Sequence, residues 1–295
     1  GRDVHGILLL NKPVGISSNA ALQRVKRLFQ AKKAGHTGSL DKLASGLLPI
    51  CLGEATKLSG FLLEADKRYQ AQVTLGVTTT TGDAEGDVLL TRPVDGIDRK
   101  KIDAVIQLFI GPIQQVPPMH SAIKHHGQAL YKLARQGKVV ERQARSVMIY
   151  ALIVHNWVFN RIEIEVHCSK GTYIRTLAED IGEALGCGAY LSALHRVRVG
   201  DYYDMIDFET LEHYTHKGFE TLDNLLIPMH TALKHWPEIR LSADLTYYVR
   251  QGQAVQVPHA PTNGWVKLFT DNTHFLGIGQ VLDDGRIAPR RLINP

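Results

Sequence analysis

Cysteine is scarce in this 295-residue chain. Cys51, Cys168 and Cys187 make an odd three, with no CxxC pair. Such usage argues against a disulfide framework and a zinc site, and for a reducing compartment. No apolar run approaches the roughly 20 residues of a membrane span, and no signal-peptide pattern opens the chain. Cytoplasmic is therefore the expected location, and a start at Gly1 rather than Met implies a trimmed beginning. GxSxG, HExxH, a P-loop and GxGxxG after a strand are all missing, which removes the familiar hydrolase and nucleotide-binding patterns. There is no internal repeat and no low-complexity segment.

What is present is ordinary for a soluble globular protein: 44% hydrophobic and 21% charged residues, enough length for one large domain and a small one. The net charge of +5 is modest but unevenly spread. Residues 1–40 hold Arg2, Lys12, Arg24, Lys26, Arg27, Lys32 and Lys33 against Asp3 alone. Residues 131–146 hold Lys132, Arg135, Lys138, Arg142 and Arg145 against Glu141. Each cluster reads equally well as a solvated helix face or as a surface for a polyanion such as nucleic acid.

Ile7–Leu10 reads as a buried strand, followed by a Pro/Gly turn and a helix capped by Ser17 or Ser18, with Leu22, Val25, Leu28 and Phe29 on one stripe. A helix over Leu43–Leu48 and another over about Ala55–Leu63 are expected. Alternation marks strands at Tyr69–Leu75, Val147–Val158 and Arg161–His167, the last two joined at Phe159–Asn160. Residues 78–87 read as a loop, Lys101–Phe109 as a helix, and Ala129–Arg135 as a short one. A helix runs from after Gly171 to about Gly186, and Leu194–Val199 suits a strand. Residues 205–235 read as helical or irregular. Beyond a boundary near Trp236–Leu241 the chain turns to short strands, at Ala254–Val257, Trp265–Phe269, Phe275–Val281 and Arg286–Leu292. That small module should lean on the larger domain.

In GHTGSLDKLASGLLPICLGEATK (35–57), Asp41 is the only acid before Glu54. It follows a glycine-bounded turn and precedes the expected helix, so helix capping is one reading and a catalytic carboxylate the other.

KPVGISS (12–18), AGHTGSLDKLASGLLPICLGEATK (34–57), DKRYQAQVTLG (66–76), TGDAEG (81–86), QQVPPMHSAIKHHGQALYKLAR (114–135) and CSKGTYIRTLAEDIGEALGCGAYLSALHRVRVG (168–200) occur in the order and spacing of one family. Over essentially its whole length the chain resembles the TruB tRNA pseudouridine synthases. The resemblance implies an α+β fold: a mixed, largely antiparallel sheet with flanking helices over 1–235, and a small all-β PUA-like RNA-binding domain over 238–295. It implies a stand-alone monomeric enzyme that converts uridine 55 in the tRNA T stem-loop to pseudouridine after flipping the base. No cofactor, metal, membrane or obligatory protein partner is expected.

Asp41 matches the catalytic acid and Arg175 the cation that pairs with it. Tyr69 matches the tyrosine that stacks on the uracil and helps move the C5 proton. Tyr173 and Leu194 match residues lining the same pocket, and His36 the histidine that fills the space of the flipped base. Lys12–Pro13 and the turn after them look like scaffold. Asp41 has three routes open: attack on the sugar, attack on the uracil ring, or removal of the ribose 2′ proton. No second carboxylate is evident near it. The chain departs from the family pattern at Lys42, where Pro is usual, at His120, where Tyr is typical, and at Ser45, where Thr is common. Lys42 is expected to leave the loop looser.

Overall fold

The computed structural model describes residues 1–119 and 124–294. His120 and the three residues after it, through Ile123, lie outside the described residues. Strand β1 (Gly6–Lys12) opens the chain. Helix α1 (Ser18–Phe29) is capped by Ser17, whose hydroxyl accepts from the Ala20 amide at 3.0 Å. The helix buries Ala21, Leu22, Val25 and Phe29, so its apolar stripe faces the core and its cations lie elsewhere. Strands β2 (Ala34–His36) and β3 (Ala44–Leu52) then form a hairpin-like pair, with Asp41 in the connection between them.

The expected helix over Leu43–Leu48 is therefore not formed. LLPICL is a short continuous apolar run, which periodicity alone does not separate from a strand buried on both faces. Pro49 lacks the N–H that a helix interior uses, and β3 lies buried against β1. Asp41 consequently caps no helix; its carbonyl accepts from the Ala44 amide at 3.0 Å in a tight turn.

A 3-10 turn over Gly53–Leu58 and helix α2 (Ser59–Leu63) lead to β4 (Lys67–Leu75). Strands β5 (Val77–Thr79) and β6 (Val88–Thr91) pair with each other, so the start of the polar 78–87 stretch is strand. Helix α3 (Arg99–Gln107), β7 (Gly111–Gln115), the small pair β8 (Lys124–His125) and β9 (Gln128–Ala129), and α4 (Leu130–Arg135) follow. The long hairpin β10 (Arg145–Val158) and β11 (Arg161–Cys168) turns at Phe159–Asn160, with Phe159 at φ 55°. Helix α5 (Ile174–Leu185) stops at Gly186, whose φ of 85° is the left-handed cap that only glycine adopts cheaply. Strand β12 (Ala189–Val199) is longer than its alternation suggested, because two bulges break the period. Helices α6 (Phe208–Thr215) and α7 (Phe219–Asp223) complete the larger body.

The main sheet has eight strands in the order β1-β3-β12-β4-β11-β10-β7, with β2 on β3. Every neighbouring pair is antiparallel except β3 with β12. The mixed, largely antiparallel α+β expectation is met. One face carries the main core, where Val73, Ile162, Ile164 and Leu191 meet Leu177, Ala178 and Ile181 of α5 and Ile102 of α3.

A second sheet, β13-β14-β15-β16, is built from Glu238–Leu241, Trp265–Thr270, Phe275–Val281 and Ile287–Leu292. It is accompanied by helix α8 (Ala243–Arg250), and Ala254–Val257 contributes only a bridge from Val255 to Ile287. Its own core is small, and Leu58, Leu233 and Ile278 join it to the larger body. The Lys57 ammonium donates to the Leu292 carbonyl at 2.8 Å across the same seam.

Candidate active site

The Asp41 turn is pinned at three points. Ser18, at the start of α1, uses its hydroxyl to accept from the Leu40 amide (2.7 Å) and donate to the Leu40 carbonyl (2.8 Å). The Gly15 amide donates to the Lys42 carbonyl at 2.7 Å, so the residue that replaces the usual proline is itself tethered. Arg196, on β12, donates from Nη2 to the Gly38 carbonyl at 2.8 Å. The looser loop expected from Lys42 is not what this pinning produces. Ser45, the other described departure, shares a 2.8 Å hydrogen bond with His195 Nδ1.

Arg175 stands in the first turn of α5, its side chain 9% exposed. Its Nε lies 3.6 Å from Asp41 Oδ2, while the Asp41 side chain is 56% exposed and open to an incoming substrate. The other side of the guanidinium faces a residue the sequence did not reveal. Nη1 is 3.9 Å from Asp83 Oδ2, on a carboxylate only 4% exposed. Asp83 is held by the Thr81 hydroxyl (2.7 Å) and the Glu85 amide (2.9 Å), both donating to its Oδ1. A second acid thus exists, across Arg175 from Asp41, in the TGDAEG segment, which read as a polar loop and as one of the motif segments, with no role given to its acid. Its signal was an acid among turn-forming residues, which is common enough to be mute without the fold.

Tyr69 lies on the core-facing side of β4 and is buried. Burial raises its phenol pKa, and the nearby positive charge of Arg196 opposes that rise. His36 ends β2, half-buried. Burial and then Arg196 lower its pKa, favouring the neutral ring, and its Nδ1 has no hydrogen-bond partner among the described residues. Tyr173 precedes α5, and buried Gln115 of β7 clamps its backbone, accepting from the amide at 2.9 Å and donating to the carbonyl at 3.2 Å. Leu194 is half-buried on β12, in register with Ala71 of β4 and Ala44 of β3.

All six residues proposed from the sequence line one cleft of about 870 Å³, together with Asp83, Lys42, Tyr131 and Arg135. The basic clusters divide. In the first, Lys12 is buried, donating to the Pro13 and Ile16 carbonyls, with its pKa lowered to about 8, chiefly by burial. Arg2, Arg24 and Lys32 pair with Asp223, Glu212 and Asp3. The second sends Arg135 to the cleft itself. Among the described residues no group of acids, histidines and cysteines is arranged to hold a metal ion, and no helix is long and apolar enough to cross a membrane.

Three family profiles tile the chain. Residues 26–174 match the TruB family pseudouridylate synthase N-terminal domain, 175–234 the tRNA pseudouridylate synthase B C-terminal domain, and 237–293 the pseudouridine synthase II TruB C-terminal region. The chain is 62% identical over 295 residues to tRNA pseudouridine synthase B of Nitrosococcus oceani, covering 99% of this chain and 96% of the relative. It is 56% identical to the protein of that name from Coxiella burnetii, with the same coverage. A chain of the crystal structure of a Cbf5–Nop10–Gar1 complex superposes with a TM-score of 0.77 at 27% identity, over 98% of this chain and 85% of the other. With profiles along almost its whole length and relatives this similar, the chain belongs to the TruB family of tRNA pseudouridine synthases.

Proposed function

We propose that this protein isomerises uridine 55 in the T loop of tRNA to pseudouridine, acting alone and as a monomer, with Asp41 as the essential acid. The observation that carries the reading is the open carboxylate of Asp41 facing the buried guanidinium of Arg175 in a cleft shared with Tyr69 and Tyr173. The reaction breaks the ribose C1′–N1 bond, turns the uracil, and joins C5 to C1′. The C5 proton is lost and N1 gains one, so nothing is oxidised, hydrolysed or added and no cofactor is needed.

A uridine stacked in a loop must be extruded to reach the cleft. Asp41 then acts as an anion at the sugar, the ring or the 2′ carbon. Arg175 is a cation that cannot lose its proton and keeps that anion close to a fixed charge as water is displaced. Tyr69 and Tyr173 offer faces for the uracil, Leu194 closes the floor, and His36 takes the place of the base that has left the stack. Arg135, and other cations of the second cluster, contact phosphates and orient the RNA. Specificity comes from the folded shape of the T arm. Residues 1–235 form the catalytic domain and 238–295 a PUA-like RNA-binding domain.

The test is tritium release from C5-labelled uridine in a T-arm hairpin, with wild type and Asp41→Asn. Release by the wild type, lost in the variant while hairpin binding persists, supports the reading; a silent wild type refutes it. The likeness to a chain from a Cbf5–Nop10–Gar1 complex favours a second reading, a catalytic subunit that needs partner proteins. Purified chain alone on unmodified tRNA transcript separates the two.

A further inference from the structure

Arg196 heads the largest side chains that are fully buried, at 2% exposed. Among the described residues it forms no ion pair with a carboxylate. An internal cation without a counter-charge is tolerated only when its N–H groups are used. Here two backbone carbonyls accept from them. Nε donates to Leu47 of β3 at 2.8 Å and Nη2 to Gly38 at 2.8 Å, and the positive charge lies near enough to the Tyr69 phenol to oppose the rise that burial gives its pKa.

The position is equally specific. Arg196 sits in register with Tyr69 on one side and with Gly46 on the other. At Gly46, φ is +109° and a Cβ would meet the Arg196 carbonyl oxygen at 2.2 Å, so the two backbones touch as closely as glycine permits. Gly38, also left-handed at φ +72°, lies three residues before Asp41 and turns its carbonyl to the same guanidinium. A core that needed only volume here would use Leu or Met. An arginine supplies donors to the turn that carries Asp41 and to β3, from a strand paired with the one that carries Tyr69.

We propose that Arg196 is a positioning residue for the isomerisation, tying the turn that carries Asp41, and β3 behind it, to the strand that pairs with the one carrying Tyr69. The assignment rests on the reading of the cleft given above. It touches no substrate; it sets the distance and angle between groups that do.

The experiment compares Arg196→Lys and Arg196→Gln, each alone and with Tyr69→Phe, by single-turnover tritium release, hairpin Kd and circular dichroism. Each single variant should lower the single-turnover rate about 30-fold to 100-fold, the scale of a small misplacement of reacting groups, with Kd within about threefold of wild type. In the Tyr69→Phe background the same change should cost less than about threefold, because the placement of the Tyr69 hydroxyl relative to Asp41 no longer matters. An unchanged rate, equal losses in both backgrounds, or a loss confined to Kd overturns the proposal. If both variants lose the native dichroism, Arg196 belongs to the core alone and the proposal also falls. A wild type that releases no tritium defeats the underlying reading of the cleft and takes this inference with it, whereas an active wild type isolates the role of Arg196.

Discussion

Asp83→Asn removes one charge from the pair of carboxylates that flank Arg175, at almost constant volume. At 3.9 Å the interaction between Arg175 Nη1 and Asp83 Oδ2 has a gross Coulomb energy of about 4 kcal/mol at an effective dielectric of 20. Part of that is retained, because Asp41 still faces Nε from 3.6 Å. The asparagine carbonyl, placed at Oδ1, still accepts from both Thr81 and Glu85, but its amide then sets a donor against the Arg175 guanidinium where Oδ2 only accepted. We expect a loss of stability of about 2 kcal/mol, below the 3–5 kcal/mol that breaking an isolated buried pair costs. Freed of one anchor, Arg175 turns further toward Asp41 or away from the cleft, and the single-turnover rate should fall about 100-fold. Urea unfolding gives the first quantity and tritium release the second. A variant with the stability loss but a rate within threefold of wild type shows Asp83 to be scaffold only. A variant that loses neither refutes the claim that Arg175 is held from both sides.

Asp41→Asn should abolish measurable turnover while changing hairpin Kd by less than about threefold, since binding rests on phosphate contacts and shape; titration of labelled hairpin checks it. With about four phosphate contacts, hairpin affinity should fall roughly 50-fold from 50 to 200 mM salt, and an affinity flat over that range contradicts the phosphate role given to Arg135 and its neighbours. Gly46→Ala should destabilise the fold by about 3 kcal/mol or more, because the new Cβ collides with backbone and the left-handed φ is strained; a thermal melt within 1 °C of wild type would be the contrary result. The Cys51 and Cys168 thiols are pushed up to about 12 by burial, so they stay protonated in the fold while unfolded thiols ionise from about 9. The folded state then holds more protons, and their contribution, complete below pH 9, is lost as pH rises toward 12. Cys51→Ala should flatten the alkaline decline by about 1.4 kcal/mol per pH unit, read by urea unfolding at pH 8 and 10.5.

Elements with one solvent-facing side were legible from the sequence. The hairpin of β10 and β11 alternates cleanly at Ile162, Ile164 and Val166, and α1 and α5 carry apolar stripes with proper ends at Ser17 and Gly186. Strand β3 was not, since burial on both faces erases alternation and leaves an apolar run that suits either state. Strand β12 was half legible, because its bulges shift the period at Ser192 and Val197. In the cleft, motif resemblance reached Asp41, Tyr69, Arg175, His36, Tyr173 and Leu194, which the fold brings together. Asp83 and Arg196 stayed hidden because each matters through a partner more than ninety residues away. Nothing local distinguishes a loop aspartate or a strand arginine until the sheet order puts Asp83 beside Arg175, and Arg196 between Gly46 and Tyr69.

The place of β12 has a consequence for how the enzyme comes into being on the ribosome. It is the last strand of the large sheet to be synthesised, yet it slots between β3 and β4, both made more than a hundred residues earlier. Until residue 199 has left the exit tunnel, the two older strands face a gap with unused edges, and the acid and the tyrosine stand apart like jaws without a hinge pin. Catalytic competence therefore arrives in one late step, and a nascent chain halted near Leu185 should need protection from edge pairing while having no activity to lose.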